Sequence, residues 1–312
     1  MKRLFLLMAV SLVALCGSIA TTNAQAPERQ GWYGDDFPLY GNVESVTITK
    51  YKLQDKFGEV IRGDVKYIEY YCFNAVGDVI EYAKCYSAGS LDDKTIYKYD
   101  SSGNIIERAS YDSDGPLNWK IIYKYDSSGN EVERALYNSD GSLDWKYIYK
   151  YDTSGNVIEY AEYNSDGSLD DKYIYKYDSS GNIIERASYY SDGSLNSKCI
   201  YKYDSSGNKI EEALYCFGSL WYKYICKYDS SRNLIESARY NSDGSLFWKD
   251  IYKYDSLGNM IEQAEYNSDG SLYFKCIFKY DSSRNLIEES KYYTEALIPE
   301  YQIEYKIVYR NE

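Results

Sequence analysis

The stretch YKYDSSGNEVERALYNSDGSLDWKYI, Tyr123 to Ile148, decides the fold. Its opening Tyr-Lys-Tyr-Asp returns every 26 residues, at Tyr97, Tyr149, Tyr175 and Tyr201. It returns again as Cys226-Lys227-Tyr228-Asp229, Tyr252-Lys253-Tyr254-Asp255 and Phe278-Lys279-Tyr280-Asp281, and a worn copy opens the series at Tyr71-Cys72-Phe73-Asn74. A fixed period of this length is the signature of a repeat architecture, in which each unit buries its face against its neighbours.

Each unit holds two turn signatures. Asp126-Ser127-Ser128-Gly129-Asn130 and Asn138-Ser139-Asp140-Gly141-Ser142 both read as a type I turn followed by glycine in the left-handed region, the three-residue hairpin loop. The unit is therefore two antiparallel strands, near Glu131–Tyr137 and Leu143–Asp152. Counting outward from the turns pairs Tyr125 with Glu131, Tyr123 with Glu133, Ala135 with Trp145 and Glu133 with Tyr147. By strict alternation one face then collects Trp145, Tyr147, Tyr149 and Tyr151 with Glu133, Ala135 and Tyr137. The other collects Lys146, Ile148 and Lys150 with Val132, Arg134 and Leu136.

The expected fold is all-β: a tandem-repeat antiparallel meander of about twenty strands, coiled or spiralling because wide open sheets twist, with the aromatic face concave. The expected organisation is a signal peptide at 1–26, N-terminal capping strands at 27–70, nine repeats at 71–290 and a C-terminal cap at 291–312.

Composition narrows the function. Lys2 and Arg3, the apolar run Leu4 to Ala20 and Ala24-Gln25-Ala26 read as a cleavable secretory leader. Losing Lys2 and Arg3 takes the formal charge from -13 to -15, a balance that repels nucleic acid and anionic lipid. There is no histidine, which excludes His-based dyads and His-ligated metals. No second long apolar run predicts a transmembrane helix. An outer-membrane barrel fits poorly, since one face carries Lys146 and Lys150 and the other Glu133. Tyrosine supplies 41 of 312 residues and favours strands.

Tyr149-Lys150-Tyr151-Asp152, Gly155-Asn156, Tyr163 and Asp166-Gly167 resemble the YD repeat of the RHS family over roughly Tyr71 to Tyr292. Short secreted proteins with this array, and a lead-in like Gly41-Asn42-Val43-Glu44-Ser45-Val46, look typical of Bacteroidetes. The resemblance implies a spiral β shell and, for some members, sugar binding. The RHS core motif and C-terminal toxin are not found, so toxin encapsulation does not carry over.

Candidate site residues follow from the face assignment. A Glu column, with Glu133, Glu159 and Glu185 among its members, is placed between tyrosines on the aromatic face. It reads as a structural Tyr–Glu ladder or as part of a wet groove for a polar ligand. Trp119, Trp145 and Trp248 share one unit position and, with Tyr123 and Tyr149, read as a β core or as stacking platforms. Turn chemistry accounts for Asn-Ser-Asp-Gly without calcium, and no residue set calls for a metal or cofactor. Arg232 and Arg284 replace turn glycines, so the neighbouring Asn233 and Asn285 are expected to take the left-handed conformation. Cys199 and Cys226 lie two strands apart, beyond disulfide reach. The reading is a secreted, non-enzymatic repeat protein binding a glycan or a protein at the cell surface. The alternative is a purely structural spacer.

Overall fold

The computed structural model describes residues 39–56, 59–86, 90–294 and 299–310, so the leader read at 1–26 lies outside the described residues. Twenty antiparallel strands follow one another as a meander. The first four are β1 (Val43–Lys56), β2 (Glu59–Phe73), β3 (Val79–Tyr86) and β4 (Leu91–Tyr99). The next six are β5 (Ile105–Asp112), β6 (Leu117–Tyr125), β7 (Glu131–Asn138), β8 (Leu143–Tyr151), β9 (Val157–Asn164) and β10 (Leu169–Tyr177). Then come β11 (Ile183–Tyr190), β12 (Leu195–Tyr203), β13 (Lys209–Cys216), β14 (Ser219–Tyr228) and β15 (Leu234–Asn241). The last are β16 (Leu246–Tyr254), β17 (Met260–Asn267), β18 (Leu272–Tyr280), β19 (Leu286–Tyr293) and β20 (Tyr301–Tyr309).

Every strand pairs with the next, and β20 pairs back onto β1 from Tyr301↔Lys52 to Tyr309↔Val43. The meander is thus a closed barrel. At about 4.8 Å per strand its circumference is roughly 100 Å.

The turns form as the sequence dictates. The Asp126 amide donates to the Asn130 carbonyl at 2.9 Å, and Gly129 takes φ 85. The Asp126 carboxylate accepts from the Ser128 and Asn130 amides and from the Asn130 side chain, which locks the loop. In the second turn Asp140 accepts from the amide and hydroxyl of Ser142. Arg232 and Arg284 correct an expectation. The arginines themselves take the left-handed conformation, with φ 67 and 70. Arg284 then reaches to the equivalent turn one repeat earlier, donating to the Asn259 side chain and the Leu257 carbonyl, both at 3.1 Å.

The register beyond the first pair also corrects the sequence reading. Tyr125 does face Glu131, but Lys124, not Tyr123, comes next, and it faces Glu133. Likewise Tyr137 faces Leu143, and Leu136 then faces Trp145. One residue is extra in each hairpin, Val132 in the first and Asp144 in the second. These are β-bulges, and the same shift recurs in successive units. A bulge bends its strand and strengthens the right-handed twist. Repeated at both rims, it curls the sheet toward closure.

The slip exchanges partners between the faces. Trp145, Tyr147, Tyr149 and Tyr151 share theirs with Glu131, Arg134 and Leu136. Glu133, Ala135 and Tyr137 lie with Lys124, Lys146 and Ile148 instead. Burial tells the two faces apart. Tyr147 is pushed up to about 12, first by burial, whereas Lys124 and Lys150 are raised by their Glu partners. The aromatic face therefore turns inward and the Lys–Glu face outward. Trp145, Tyr147, Tyr149, Tyr160 and Tyr173 stay partly exposed, so the lumen is not a filled core.

Two apolar clusters line the closure. One joins Leu39, Val43 and Val46 to Tyr71, Phe73, Val79 and Tyr97. The other joins Cys276, Phe278 and Leu286, and Tyr305 of β20 packs against both.

A tyrosine rung ties each unit to the last. The Tyr125 hydroxyl donates to the Ile105 carbonyl at 2.8 Å, Tyr151 to Glu131 at 2.6 Å, Tyr177 to Val157 at 2.8 Å and Tyr203 to Ile183 at 2.9 Å. The acceptor is a backbone carbonyl beside a bulge, which explains why this tyrosine recurs whatever its neighbours are. Tyr151→Phe is expected to lower stability by about 1 kcal/mol, measured by urea unfolding. An unchanged midpoint would show the rung to be idle.

Candidate functional site

The outward face is the most regular part of the molecule. Lys124 meets Glu133 at 2.7 Å, Lys150 meets Glu159 at 2.7 Å, and Glu185 sits between Lys176 at 2.9 Å and Lys198 at 3.1 Å. Lysine ammoniums also lie over tyrosine rings, as Lys120 does over Tyr137 and Lys146 over Tyr163. Buried alanines such as Ala135 and Ala161 leave room beneath these long side chains. Glu133, Glu159 and Glu185 therefore bond to lysine rather than to tyrosine hydroxyls, and their assignment to an aromatic groove is corrected. This belt of ion pairs is the reverse of the apolar band that faces lipid in a membrane barrel. No helix among the described residues is long and apolar enough to cross a membrane.

The inward face differs from unit to unit. The outward Glu is constant, while the inward residue beside it is Tyr82, Arg108, Tyr160, Glu212, Ser237 or Gln263 in different copies. The outward positions must match lysines on both neighbouring strands, and the inward ones face the lumen.

Two aromatic groups stand out there. On β8 to β10, Tyr160 stacks on Tyr149 at 5.5 Å and 18°, and on Tyr173 at 4.8 Å and 15°. Trp145 packs on Tyr147 at 4.4 Å. These rings spend their faces on one another, so Trp145 and Tyr149 are chiefly structural here. Trp119 is also engaged, beneath the Arg108 guanidinium at 5.2 Å, and Tyr123 lies beneath Arg134 at 5.1 Å. Arg134 in turn holds Glu131 through two bonds of 2.9 and 3.0 Å.

On β14 to β16 the rings are tilted against one another rather than stacked. Tyr224 meets Trp248 at 5.7 Å and 54°, and Tyr222 meets Tyr224 edge-on at 5.1 Å and 76°. Tyr224 is buried, the Tyr222 ring lies beneath Arg239, and Trp248 stays partly exposed. Trp248 is thus the sequence-selected residue best placed to meet a ligand.

Beside it lies a cluster that the sequence reading did not single out. Asp250 takes the position held elsewhere by Tyr147 and Tyr173, is 5% exposed, and faces Glu265 directly across β16 and β17. Gln263 donates to its carboxylate at 3.3 Å, while Ser237 and Tyr252 share a hydrogen bond next to it. Burial, reinforced by the Glu265 charge, pushes Asp250 up to about 7 against those hydrogen bonds. The substitution of Asp for Tyr at one copy was the available signal. Cys199 and Cys226 carry thiols and form no disulfide.

A family model described as a protein of unknown function (DUF2963) matches residues 168–213. No curated protein sequence matches the chain. Among solved structures, the TcdB2–TccC3 Tc toxin is similar with 12% identity and a TM-score of 0.37, over 85% of this chain and 16% of that one. The chain therefore spans under a fifth of the length of that relative. A porin-like protein from Bacteroides uniformis is similar with 8% identity and a TM-score of 0.39, over 85% of this chain and 98% of that one.

Proposed function

We propose that this chain is a secreted, non-enzymatic β-repeat barrel that binds a glycan at the cell surface through its inward face. The observation that carries the reading is the partly exposed Trp248, whose ring is tilted against the buried Tyr224 rather than stacked on it. Sugar rings present apolar C–H faces and hydroxyls together, and they fit a wall of tilted rings interspersed with polar side chains. The contrast between a constant outward lattice and a varied inward face supports the same reading. The alternative is a scaffold without a small-molecule ligand, and the self-contained Lys–Glu belt favours it. A glycan array decides between them. The intact chain is expected to bind a defined subset of glycans, and Trp248→Ala to lose that binding with little change in melting temperature. Binding to no glycan would leave the scaffold as the better reading.

A further inference from the structure

We infer that the mouth of the barrel at β14 to β16 holds an anion-reading subsite built on Arg239, and that the ligand it takes is an acidic glycan bearing uronate carboxylates. The inference rests on the glycan reading above and adds the charge of the sugar. Arg239 lies on β15, two residues before the Asn241 turn, directly opposite Trp248 on β16. Its guanidinium carbon sits 4.6 Å from the Tyr222 ring and 4.5 Å from the Phe247 ring. The two rings come from the strands on either side, so the guanidinium is clamped between them.

A clamped guanidinium is a prepared one. Its planar fork loses little freedom when it meets a carboxylate, and two parallel N–H donors match the two oxygens. Two other inward cations are held by carboxylates. Arg134 is bidentate to Glu131, and Lys209 pairs with Glu212 at 3.0 Å. Arg239 makes no hydrogen bond or ion pair among the described residues, and its Nε is buried without an acceptor. Asp243, in the turn that joins β15 to β16, accepts from the Ser245 amide and hydroxyl. A clamped guanidinium whose buried Nε has no acceptor calls for an anion from outside. The partly exposed Trp248 ring directly opposite supplies the surface for the sugar that carries it.

The test compares a galacturonic acid trimer with the neutral galactose trimer of the same linkage, by titration calorimetry on the full chain. The intact protein is expected to prefer the acidic trimer by about ten- to a hundredfold, the range of a charge-assisted hydrogen bond. Arg239→Gln should erase that preference while the neutral trimer binds as before. Arg239→Lys, which keeps charge but loses the fork, should recover only part of it. Equal binding of both trimers to the intact protein would overturn the Arg239 assignment and leave the glycan reading standing. Binding of neither would overturn the uronate assignment, and binding to no glycan on the array would overturn the glycan reading itself. Inorganic sulfate that displaces the acidic trimer at equal concentration would overturn the sugar part of the assignment.

Discussion

Deleting residues 299–312 should shift the chain on size-exclusion chromatography from a single peak to larger species and aggregate. The deletion removes β20, which pairs with β1 along one side and with β19 along the other. Two long strand edges then lose their partners at once, and unpaired edges are templates for other chains. Tyr305 also leaves, opening the apolar clusters on both sides of the closure, including Val43 and Val46, each 1% exposed. Tyr305→Ala provides a milder companion that keeps the backbone pairing. It should lower the melting temperature while the elution volume stays fixed. A truncated chain with the elution volume and melting temperature of the full one would show that closure contributes nothing.

Asp250→Asn should stabilise the protein at pH 8 and flatten its stability between pH 4 and 7. The sign follows from linkage. Burial holds the Asp250 carboxyl at about 7 when folded, above its ordinary 3.8. Between those values the unfolded chain gives up the proton and the folded chain keeps it. Stability from this group is therefore full below about pH 4, falls as pH rises, and is lost by about pH 7. The loss is at most about 4 kcal/mol. Raised inward carboxyls such as Glu162, Asp171 and Glu265 slope the same way, so the quantity to read is the difference between the variant and the intact chain in urea unfolding at pH 5 and pH 8. Identical slopes for the two would refute the assignment.

The sequence made the strands and turns legible because both are local. Gly129 and Gly141 mark the left-handed positions, and Asp126 and Asn138 start the loops. The faces were not legible, because the bulges at Val132 and Asp144 carry no glycine and read as ordinary strand residues. One misplaced residue per hairpin moved Glu133, Ala135 and Tyr137 to the wrong side. A counter-signal was present in the constant Lys124 and Glu133 positions, which recur as Lys150 with Glu159 and Lys176 with Glu185. Two nearly constant columns, broken only by Cys72 opposite Glu81 in the worn first copy, are more readily explained by pairing with each other than by facing a varied aromatic wall. Closure was illegible for another reason. β1 and β20 lie outside the period, and their pairing joins residues about 250 positions apart. In the site, Trp248 was legible from its shared unit position, whereas Arg239 gains its meaning only when Tyr222 and Phe247 close on it.

The pairing of β20 with β1 also restricts how such a protein can change in evolution. An antiparallel ring accepts only an even number of staves, and each 26-residue duplication or loss supplies two. Unequal recombination between near-identical copies therefore changes the bore in fixed steps, each adding or removing roughly 10 Å of perimeter. The ladder of Lys and Glu fits every copy to every other, so no new seam has to be invented. Gauge can drift in the lineage while the wall stays intact, and the residues lining the passage remain free to specialise.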